Sequence, residues 1–312
     1  MILTVTLNPS LDEWVYLPRL RLNALNRATT FARYPGGKGI NVSRVAHELR
    51  AKTRAVALAG GSDVHLLSKL LTHARIPHRF VTVRGATRNN YEIRTDVPRT
   101  LTQINCPGPR VSQDALRRLE QLVCRLRPRP ACVVFSGSLP PGVPPAIYAR
   151  LIRKLHRARI PAVLDASGPA LREGVAAAPW LIKPNRDEAQ ELIGRRLRHQ
   201  ADVVRAATQL AARGPDIVII SLGADGAVLA SKRPEIVLWA TPPTVRVDSA
   251  VGAGDALVAG FVVGYQATRS LQEAFRLGIA CGSAAAMTSG TELCHRADVQ
   301  RLLPRVTIRT LS

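Results

Sequence analysis

The fold is decided by three consecutive stretches: ACVVFSG at 131–137, PAIYARLIRKLHRA at 145–158 and AVLDAS at 162–167. The first and third are short, continuous apolar runs of the kind that form strands buried on both faces. In the middle stretch, Ile147, Leu151, Ile152 and Leu155 recur at helical spacing and share one face. Two buried strands separated by an amphipathic helix predict a parallel sheet that is covered by helices.

The same alternation extends in both directions from this unit. Strand-like runs AVALAG (55–60), WLIKPN (180–185) and DIVIISLG (216–223) alternate with helix-period segments VHLLSKLLTHA (64–74) and EAQELIG (188–194). The C-terminal third contains GDALVAGFVVGYQA (254–267) and LQEAFRLGIACGSAAAM (271–287), which indicate two helices rich in small residues. We therefore predict an α/β fold with a central, mostly parallel sheet and helices on both faces.

Two stretches interrupt this rhythm. Residues 12–34 and 88–105 alternate polar and apolar side chains, as in EWVYLPRL, NNYEIR and RTLTQIN. Such alternation predicts short antiparallel strands with one wet face. We expect the two insertions to pair as a small sheet, either as a lid over the main domain or as a dimer contact. The chain, 1–312, is then a single domain with these lid segments inserted in it.

The bulk composition favours a cytoplasmic protein. No apolar run approaches the roughly 18 residues that span a bilayer, and Met1 leads directly into the strand-like ILTVTL without a signal-peptide pattern. Five cysteines, an odd number without CxxC spacing, predict free thiols of a reducing compartment.

The net charge of +22 allows two interpretations. A basic field attracts nucleic acid; alternatively, the arginines lie on solvated faces. The second is favoured because the basic residues are dispersed, without a long block, and only 4% of residues are aromatic. Nucleic acid is therefore not expected as the main partner, although the field would help to capture an anionic substrate.

Three glycine clusters follow predicted strands, at the sheet edge where α/β proteins bind ligands. In PGGKGINVSRVAHEL (35–49), glycines around Lys38 precede a helix whose free N–H groups can hold an anion. The alternative is an ordinary helix-entry turn. SLGADG (221–226) lies between two strands and, taken alone, indicates a hairpin turn.

The third cluster, VDSAVGAGDALVAGF at 247–261, is the most informative. Gly252, Ala253 and Gly254 open a helix, so their amides converge at its positive end as an anion hole. Asp255, in the same first turn, could simply complement the helix dipole. Beside an anion hole it can instead accept the proton of an attacking hydroxyl during phosphoryl transfer. No GxxxxGK[ST] loop is present, and GAGDAL lacks the third glycine and distant acid of a dinucleotide site, which disfavours a dehydrogenase.

Together these motifs resemble the ribokinase-like (PfkB) family of carbohydrate kinases over essentially the whole chain. The resemblance is carried by TLNPSLD (6–12), PGGKGINVSRV (35–45), TRNN (87–90), FSGSLPPGVP (135–144), KPNRDE (183–188), SLGADG and DSAVGAGDALVAGF. It implies a ribokinase-like three-layer sandwich with a small β-sheet lid, ATP and Mg²⁺ as cofactors, and a homodimer formed through the lid. It also suggests K⁺ near Ser249 and Val251.

The resemblance also implies a role for each residue that matches a motif. Asp255 is the catalytic base, and the amides of Gly252, Ala253 and Gly254 form the anion hole. The substrate side comprises Asp12, Gly37, Lys38, Asn41, Arg88 and Ser138. The nucleotide side comprises Lys183, Asn185, Ser221, Gly223 and Gly226, with Asn185 and Glu188 organising Mg²⁺, largely through water. Without the resemblance, Asp12 could be a turn residue, Arg88 a solvated arginine and Glu188 a helix-capping partner.

Within the family, the chain is similar to the branch that phosphorylates sugar phosphates. LDASGPAL (164–171), RLGIACGSAA (276–285) and GTELCHRADVQ (290–300) resemble the minor-isozyme type of 6-phosphofructokinase, whereas MILTVTLNPS and GGKGIN equally resemble 1-phosphofructokinase and tagatose-6-phosphate kinase. Lys38 and Leu25 depart from the 6-phosphofructokinase pattern. Fructose 6-phosphate, converted to the 1,6-bisphosphate, is the expected substrate, with the other two activities as alternatives. More distant alternatives are a kinase of a neutral sugar or nucleoside and a non-catalytic nucleic-acid-binding protein.

Overall fold

A computed structural model describes residues 1–311 and contains two β-sheets and ten α-helices within that range. The strands are β1 (Ile2–Thr6), β2 (Ser10–Leu17), β3 (Thr30–Gly36), β4 (Thr53–Ala59), β5 (His78–Thr82), β6 (Arg88–Thr95), β7 (Thr100–Ile104), β8 (Cys132–Ser136), β9 (Ala162–Asp165), β10 (Leu181–Ile182), β11 (Ile217–Ser221), β12 (Ala227–Lys232), β13 (Glu235–Thr241) and β14 (Thr307–Leu311). The helices are α1 (Lys38–Glu48), α2 (Asp63–His73), α3 (Gln113–Arg125), α4 (Ile147–Arg157), α5 (Gly168–Val175), α6 (Arg186–Ile193), α7 (Gln200–Ala212), α8 (Ala253–Thr268), α9 (Leu271–Met287) and α10 (Arg296–Leu302).

The larger sheet has ten strands in the order β14-β13-β12-β11-β10-β9-β8-β1-β4-β5. The seven strands from β11 to β5 in this order pair in parallel, and β12, β13 and β14 continue the sheet as antiparallel neighbours. The central, mostly parallel sheet predicted from the alternation is therefore confirmed. Its β10 is only two residues long, so most of WLIKPN forms the turn that leads to α6.

Helices cover this sheet on both faces because each helix carries one apolar stripe. Apolar residues of α3 to α7 pack on one face, and those of α1, α8, α9 and α10 pack on the other. In α4, the four residues that predicted an amphipathic helix are all buried: Ile147, Leu151, Ile152 and Leu155. The three-layer arrangement follows directly, since a sheet buried on both sides needs a helical layer on each.

The smaller sheet has four strands in the order β3-β2-β6-β7. It joins the two interrupting stretches, as predicted, and forms the lid. One detail of the prediction is wrong: β2 and β6 pair in parallel, and the pairs β2–β3 and β6–β7 are antiparallel. Strand β2 also ends at Leu17, because Pro18 cannot donate a ladder hydrogen bond. The single-domain organisation with lid segments 12–34 and 88–105 stays a prediction.

Helices α8 and α9 approach each other unusually closely, through small residues. A Cβ atom added at Gly260 of α8 would lie 2.7 Å from the Cys281 sulfur, 2.8 Å from the Leu277 carbonyl oxygen and 2.9 Å from the Gly278 Cα of α9. Contacts this close to backbone atoms leave no room for a methyl group. Because α8 begins at the third glycine cluster, this contact fixes the position of that cluster relative to the sheet.

Two further findings concern the membrane and redox expectations. Within residues 1–311, no helix has the length and apolar character needed to cross a bilayer. All five cysteines are free thiols, of which Cys132, Cys281 and Cys294 are buried. The absence of a disulfide framework agrees with the cysteine spacing.

We predict that Gly260→Ala destabilises the protein although alanine favours helices. The helical preference contributes about 1 kcal/mol in favour of the variant, but overpacking against α9 costs about 1–3 kcal/mol. We expect a net loss of about 1 kcal/mol or more in the free energy of unfolding, measured by urea titration. Gln272→Ala, on the exposed face of α9, is the control. Equal stability of the two variants would show that the helices can separate without cost.

Candidate active site

A deep cavity lies between the carboxyl ends of the parallel strands and the inner face of the lid. Its volume is about 1170 Å³. The main sheet contributes residues that follow its strands: Asn8, Gly137, Ser138, Ser167, Lys183, Asn185 and Ser221. The lid contributes Ser10, Asp12, Arg88, Asn90, Glu92, Gln103 and Asn105. A polar crevice at this edge is where open α/β sheets bind ligands, and we call it the main cavity.

The main cavity gathers the residues that the sequence motifs singled out. Every one of them except Glu188 lines it: Asp12, Gly37, Lys38, Asn41, Arg88, Ser138, Lys183, Asn185, Ser221, Gly223, Gly226, Gly252, Ala253, Gly254 and Asp255. These positions come from both sheets and from widely separated parts of the sequence. Their individual roles stay predictions.

The start of α8 forms the floor of the main cavity. Gly252 is its N-terminal cap and has a left-handed backbone with φ of 79°, which suits glycine. The first amides of the helix have no acceptor within it; that of Ala253 donates to the Ala250 carbonyl at 3.3 Å, and those of Gly254 and Asp255 remain as potential anion ligands. A Cβ atom at Gly254 would lie 3.3 Å from the Lys183 ammonium nitrogen. The missing side chain thus leaves a space at the start of α8, which we call the anion cradle. There an anion can contact both the backbone amides of the helix and the Lys183 ammonium group.

Asp255 lies beside this cradle and is only 5% exposed. Its Oδ2 accepts a hydrogen bond of 2.9 Å from the Asn41 amide nitrogen at the first turn of α1. Burial raises the pKa of Asp255 to about 7; the charge of Asp165 adds to this rise, whereas Lys38, Asn41 and Lys183 oppose it. A carboxyl group whose pKa lies near neutral pH is suited to accept and release a proton.

Two lysines converge on Asp165, at the carboxyl end of β9. The Lys183 and Lys38 ammonium nitrogens lie 3.3 and 3.5 Å from Asp165 Oδ1, and Asp165 itself is fully buried. Burial alone would raise the pKa of Asp165, but Lys183 and Lys38 outweigh this effect and hold it below its usual range. The charge of Asp165 in turn raises the pKa of Lys38. The cluster therefore keeps two cations in place beside the anion cradle.

The lid side of the cavity carries a second carboxyl, Asp12 on β2. Its Oδ1 accepts hydrogen bonds from Ser10 Oγ at 2.7 Å and from the Asn90 amide nitrogen at 3.1 Å. Burial raises the pKa of Asp12 above its usual value despite these bonds. A buried carboxyl whose hydrogen-bond partners are neutral donors is suited to bind ligand hydroxyl groups.

Arg88 is the first residue of β6 and lines the main cavity from the lid side. Its guanidinium donates to the backbone oxygens of Cys106 and Asn8, each at 3.1 Å, and its Nε is buried without a partner within residues 1–311. The two carbonyls fix the orientation of the guanidinium and leave other N–H groups for a ligand. Asn8 also donates to Ser138 Oγ at 3.1 Å. The geometry is suited to hold an anionic group on the lid side.

The SLGADG segment is a hairpin turn and also lines the main cavity. Strands β11 and β12 pair antiparallel, as the hairpin interpretation predicted, with a short 3₁₀ turn at Gly223–Asp225 between them. Gly223 and Gly226 have positive φ values of 63° and 98°. The turn exposes backbone along the cavity wall that leads to α8, where an elongated ligand such as a nucleotide would fit.

Asn185 and Glu188 form a reciprocal cap at the start of α6. Asn185 Oδ1 accepts from the Glu188 amide, and Glu188 Oε2 accepts from the Asn185 amide, both at 2.8 Å. The capping interpretation of Glu188 is therefore confirmed. Glu188 Oε1 remains for a ligand, and Mg²⁺ usually keeps several waters and binds through phosphates and one or two carboxylates. This donor set fits an ion held through water beside a nucleotide. Within residues 1–311, no group of three or more His, Cys, Asp or Glu side chains is arranged to bind a metal.

Sequence reasoning missed two residues. Asp165 had a recognisable signal, since it is an acid at the carboxyl end of a buried strand, and only the fold reveals its two lysine partners. Glu92, on the inner face of β6, is 4% exposed, and its Oε2 has no hydrogen-bond partner within the described residues. Burial raises the pKa of Glu92 to about 7. In the sequence Glu92 looked like one more polar position in an alternating strand.

The chain is similar to known proteins along its whole length. Residues 5–298 match the family model described as pfkB family carbohydrate kinase. A 1-phosphofructokinase of Bacillus subtilis is 35% identical over 311 residues, with 100% of both chains covered. An ATP-dependent 6-phosphofructokinase isozyme 2 of Escherichia coli is 34% identical, covering 96% of this chain and 97% of that one. A crystal structure of phosphofructokinase-2 from Escherichia coli, in complex with substrates and products, superimposes with a TM-score of 0.92 at 34% identity, covering 97% and 98% of the two chains.

We predict that Asp165→Asn strongly destabilises the protein. The substitution leaves Lys183, whose side chain is 5% exposed, as a buried charge without its counter-ion. Breaking a buried ion pair from one side costs about 3–5 kcal/mol, measured as the free energy of unfolding. The control is Asp298→Asn, which breaks a more exposed pair with Arg301 and should cost less than about 1 kcal/mol. Similar losses in both variants would mean that Asp165 does not balance the buried lysine.

Proposed function

The chain belongs to the pfkB family of carbohydrate kinases and is a sugar phosphotransferase, and on that premise we propose that it transfers the γ-phosphoryl group of ATP to a hydroxyl of a ketohexose phosphate. The proposed acceptor is the C1 hydroxyl of fructose 6-phosphate. The observation that carries the proposal is the position of Asp255 beside the first amides of α8, in a cavity whose lid side carries Arg88.

In this proposal different residues of the chain carry out proton transfer and charge stabilisation. Asp255 accepts the proton of the attacking hydroxyl, and Asn41 holds the carboxylate in position through its hydrogen bond. The amides of Gly252, Ala253 and Gly254 and the ammonium group of Lys183 stabilise the charge on the transferring group. Lys38, tied to the same Asp165 as Lys183, adds a second cation. The lid excludes water from the reaction.

The metal requirement follows from the same chemistry. Mg²⁺ supplies charge neutralisation on the nucleotide phosphates when bound. We propose that Asn185 and Glu188 orient its water ligands, as their position at the start of α6 allows. A monovalent cation near Ser249 and Val251 stays a prediction. A related Escherichia coli phosphofructokinase-2 has been crystallised in complex with potassium.

Two other phosphosugar reactions remain as alternatives. The relatives include both 1-phosphofructokinases and 6-phosphofructokinase isozymes at similar identity, so similarity alone does not choose between fructose 1-phosphate and fructose 6-phosphate. Tagatose 6-phosphate is the third candidate. All three acceptors would place a phosphate near Arg88 and a hydroxyl near Asp255.

We also propose that the protein forms a homodimer through the lid. Its exposed large apolar residues support this, because six of the seven lie on lid strands or in the loops that join them: Leu22, Leu25, Phe31, Tyr91, Val97 and Ile104. A group of exposed apolar side chains confined to one element is typical of a protein interface.

A panel of acceptors tests the substrate proposal. With MgATP, we expect kcat/KM for fructose 6-phosphate to exceed that for fructose 1-phosphate, tagatose 6-phosphate and neutral fructose in a coupled assay. Arg88→Ala should raise the KM for the phosphosugar by about 10–100-fold, because a hydrogen bond to a charged group contributes about 1.5–3 kcal/mol. It should hardly change activity with neutral fructose. Arg84→Ala, exposed and four residues earlier, is the control. A neutral sugar as the best substrate would refute the phosphosugar assignment.

The pH dependence of kcat/KM tests the base. A group that must be deprotonated loses activity as the pH falls below its pKa, so the pKa of Asp255 predicts an acidic limb with a midpoint near 7. Since the Asn41 hydrogen bond lowers this pKa, Asn41→Leu should move the midpoint to higher pH. Glu92 has a similarly raised pKa, and Glu92→Gln should leave the limb in place. The base assignment fails if Glu92→Gln removes the limb, or if Asp255→Asn keeps near-normal turnover.

A further inference from the structure

The edge of the large sheet opposite the main cavity is lined by basic side chains. At this edge the helices α1 to α5 and α7 each return to the start of the next strand. The turns that lead into β4, β5, β8 and β9, together with the last residues of α3 and α4, contribute eight cations: Arg50, Lys52, Arg75, Arg125, Arg127, Arg129, Arg157 and Arg159. All eight are exposed. We call this set the basic edge.

The basic edge is continuous because its turns precede neighbouring strands. In the sheet, β9, β8, β1, β4 and β5 lie side by side in that order. Adjacent strands are about 4.8 Å apart, so five strands extend over about 19 Å. The cations therefore form a row across the sheet edge, although they are spread over more than 100 positions of the sequence.

The basic edge carries an uncompensated charge. The segments 49–54, 73–79, 125–131 and 156–161 contain no Asp or Glu. Within residues 1–311, none of the eight cations forms an ion pair; the acids of α3 are occupied by other cations, Asp114 by Arg117 and Arg118, and Glu120 by Arg150 and Lys154. Glu48, at the end of α1, accepts from the Arg296 amide. The row thus retains its full positive field.

Helix stabilisation does not account for this arrangement. A cation near a helix C-terminus interacts favourably with the helix dipole, typically by 0.3–1 kcal/mol, and this explains Arg125 and Arg157. It does not explain the further arginines beyond each helix end, where the effect has fallen off. Like charges held in one row repel each other, which is unfavourable in the free protein. A polyanion that binds across the row reduces this electrostatic repulsion.

We propose that the basic edge binds the phosphodiester backbone of nucleic acid, independently of the kinase reaction. Guanidinium groups match phosphate oxygens in geometry and charge. The exposed large apolar residues lie in the lid and at Val247, so the edge offers no aromatic platform for bases and no apolar anchor for a membrane. Binding therefore occurs through phosphates and without sequence preference. Because the edge is opposite the main cavity, nucleic acid leaves the active site open.

The test compares two variants of equal net charge. In the edge variant, Arg125, Arg127, Arg129 and Arg159 are all changed to Gln. In the control variant, four exposed arginines outside the basic edge are changed to Gln: Arg27 in the β2–β3 loop, Arg84 after β5, Arg305 before β14 and Arg309 in β14. Binding of the full-length proteins to a fluorescent DNA duplex is measured by anisotropy over a series of salt concentrations. Unfolding temperatures and kcat/KM are measured in parallel and should stay close to wild type in both variants.

We expect the wild-type affinity to fall linearly with salt on logarithmic axes. The edge variant should bind at least about tenfold more weakly and lose about one unit of salt slope for each phosphate contact removed, whereas the control variant should bind like wild type. The proposal is overturned if both variants weaken equally, because net charge alone would then explain binding. It is also overturned if wild type does not bind DNA at physiological salt, or if anionic lipid vesicles compete fully with the duplex.

Discussion

The structure depends on where the N-terminus of α8 is held. Three contacts fix it: the glycine-mediated approach of α8 to α9, the Asn41–Asp255 hydrogen bond from α1, and the proximity of Lys183 to Gly254. Each contact comes from a different element, so the position of the anion cradle is fixed by several independent contacts. A helix terminus attracts anions only within its first turn, and a displacement of about one ångström would separate the amides from the group that we propose they stabilise. The proposed chemistry therefore requires the close packing behind the helix.

The main cavity also has an electrostatic constraint. Asp255 and Asp165 are both buried within one site, and two like charges in a poorly solvated space oppose each other. In the structure both lysines pair with Asp165, which stays ionised. Asp255 has a single neutral hydrogen-bond donor and a raised pKa. Two carboxyl groups with different partners thus divide two tasks: one holds cations in place, and the other remains able to take up a proton.

Sequence reasoning predicted the parts of this arrangement that have local signatures. Buried strands, amphipathic helices and glycine-rich turns each follow from short-range patterns, and the family resemblance assigned motif residues that the fold then brought to one cavity. Three features could not be predicted in this way. The position of Asp165 at the end of a buried strand is visible in the sequence, but its two lysine partners are not. Glu92 is distinguished only by its burial on the inner face of the lid, and the parallel pairing of β2 with β6 only by contact between two distant insertions. Each depends on contacts between residues far apart in sequence, which a single chain read from end to end does not reveal.

The positive charge of the chain shows most clearly that the sequence alone does not reveal contacts between distant residues. The basic residues are dispersed along the sequence, which favoured solvated faces and disfavoured a nucleic-acid partner. However, in a parallel α/β sheet every connection from strand to helix returns to one edge and every connection from helix to strand returns to the other. Residues at regular intervals in such a sequence therefore become neighbours in space. The topology that collects glycines and acids around the main cavity at one edge also collects arginines at the opposite edge, so dispersal in the sequence is not evidence of dispersal on the surface.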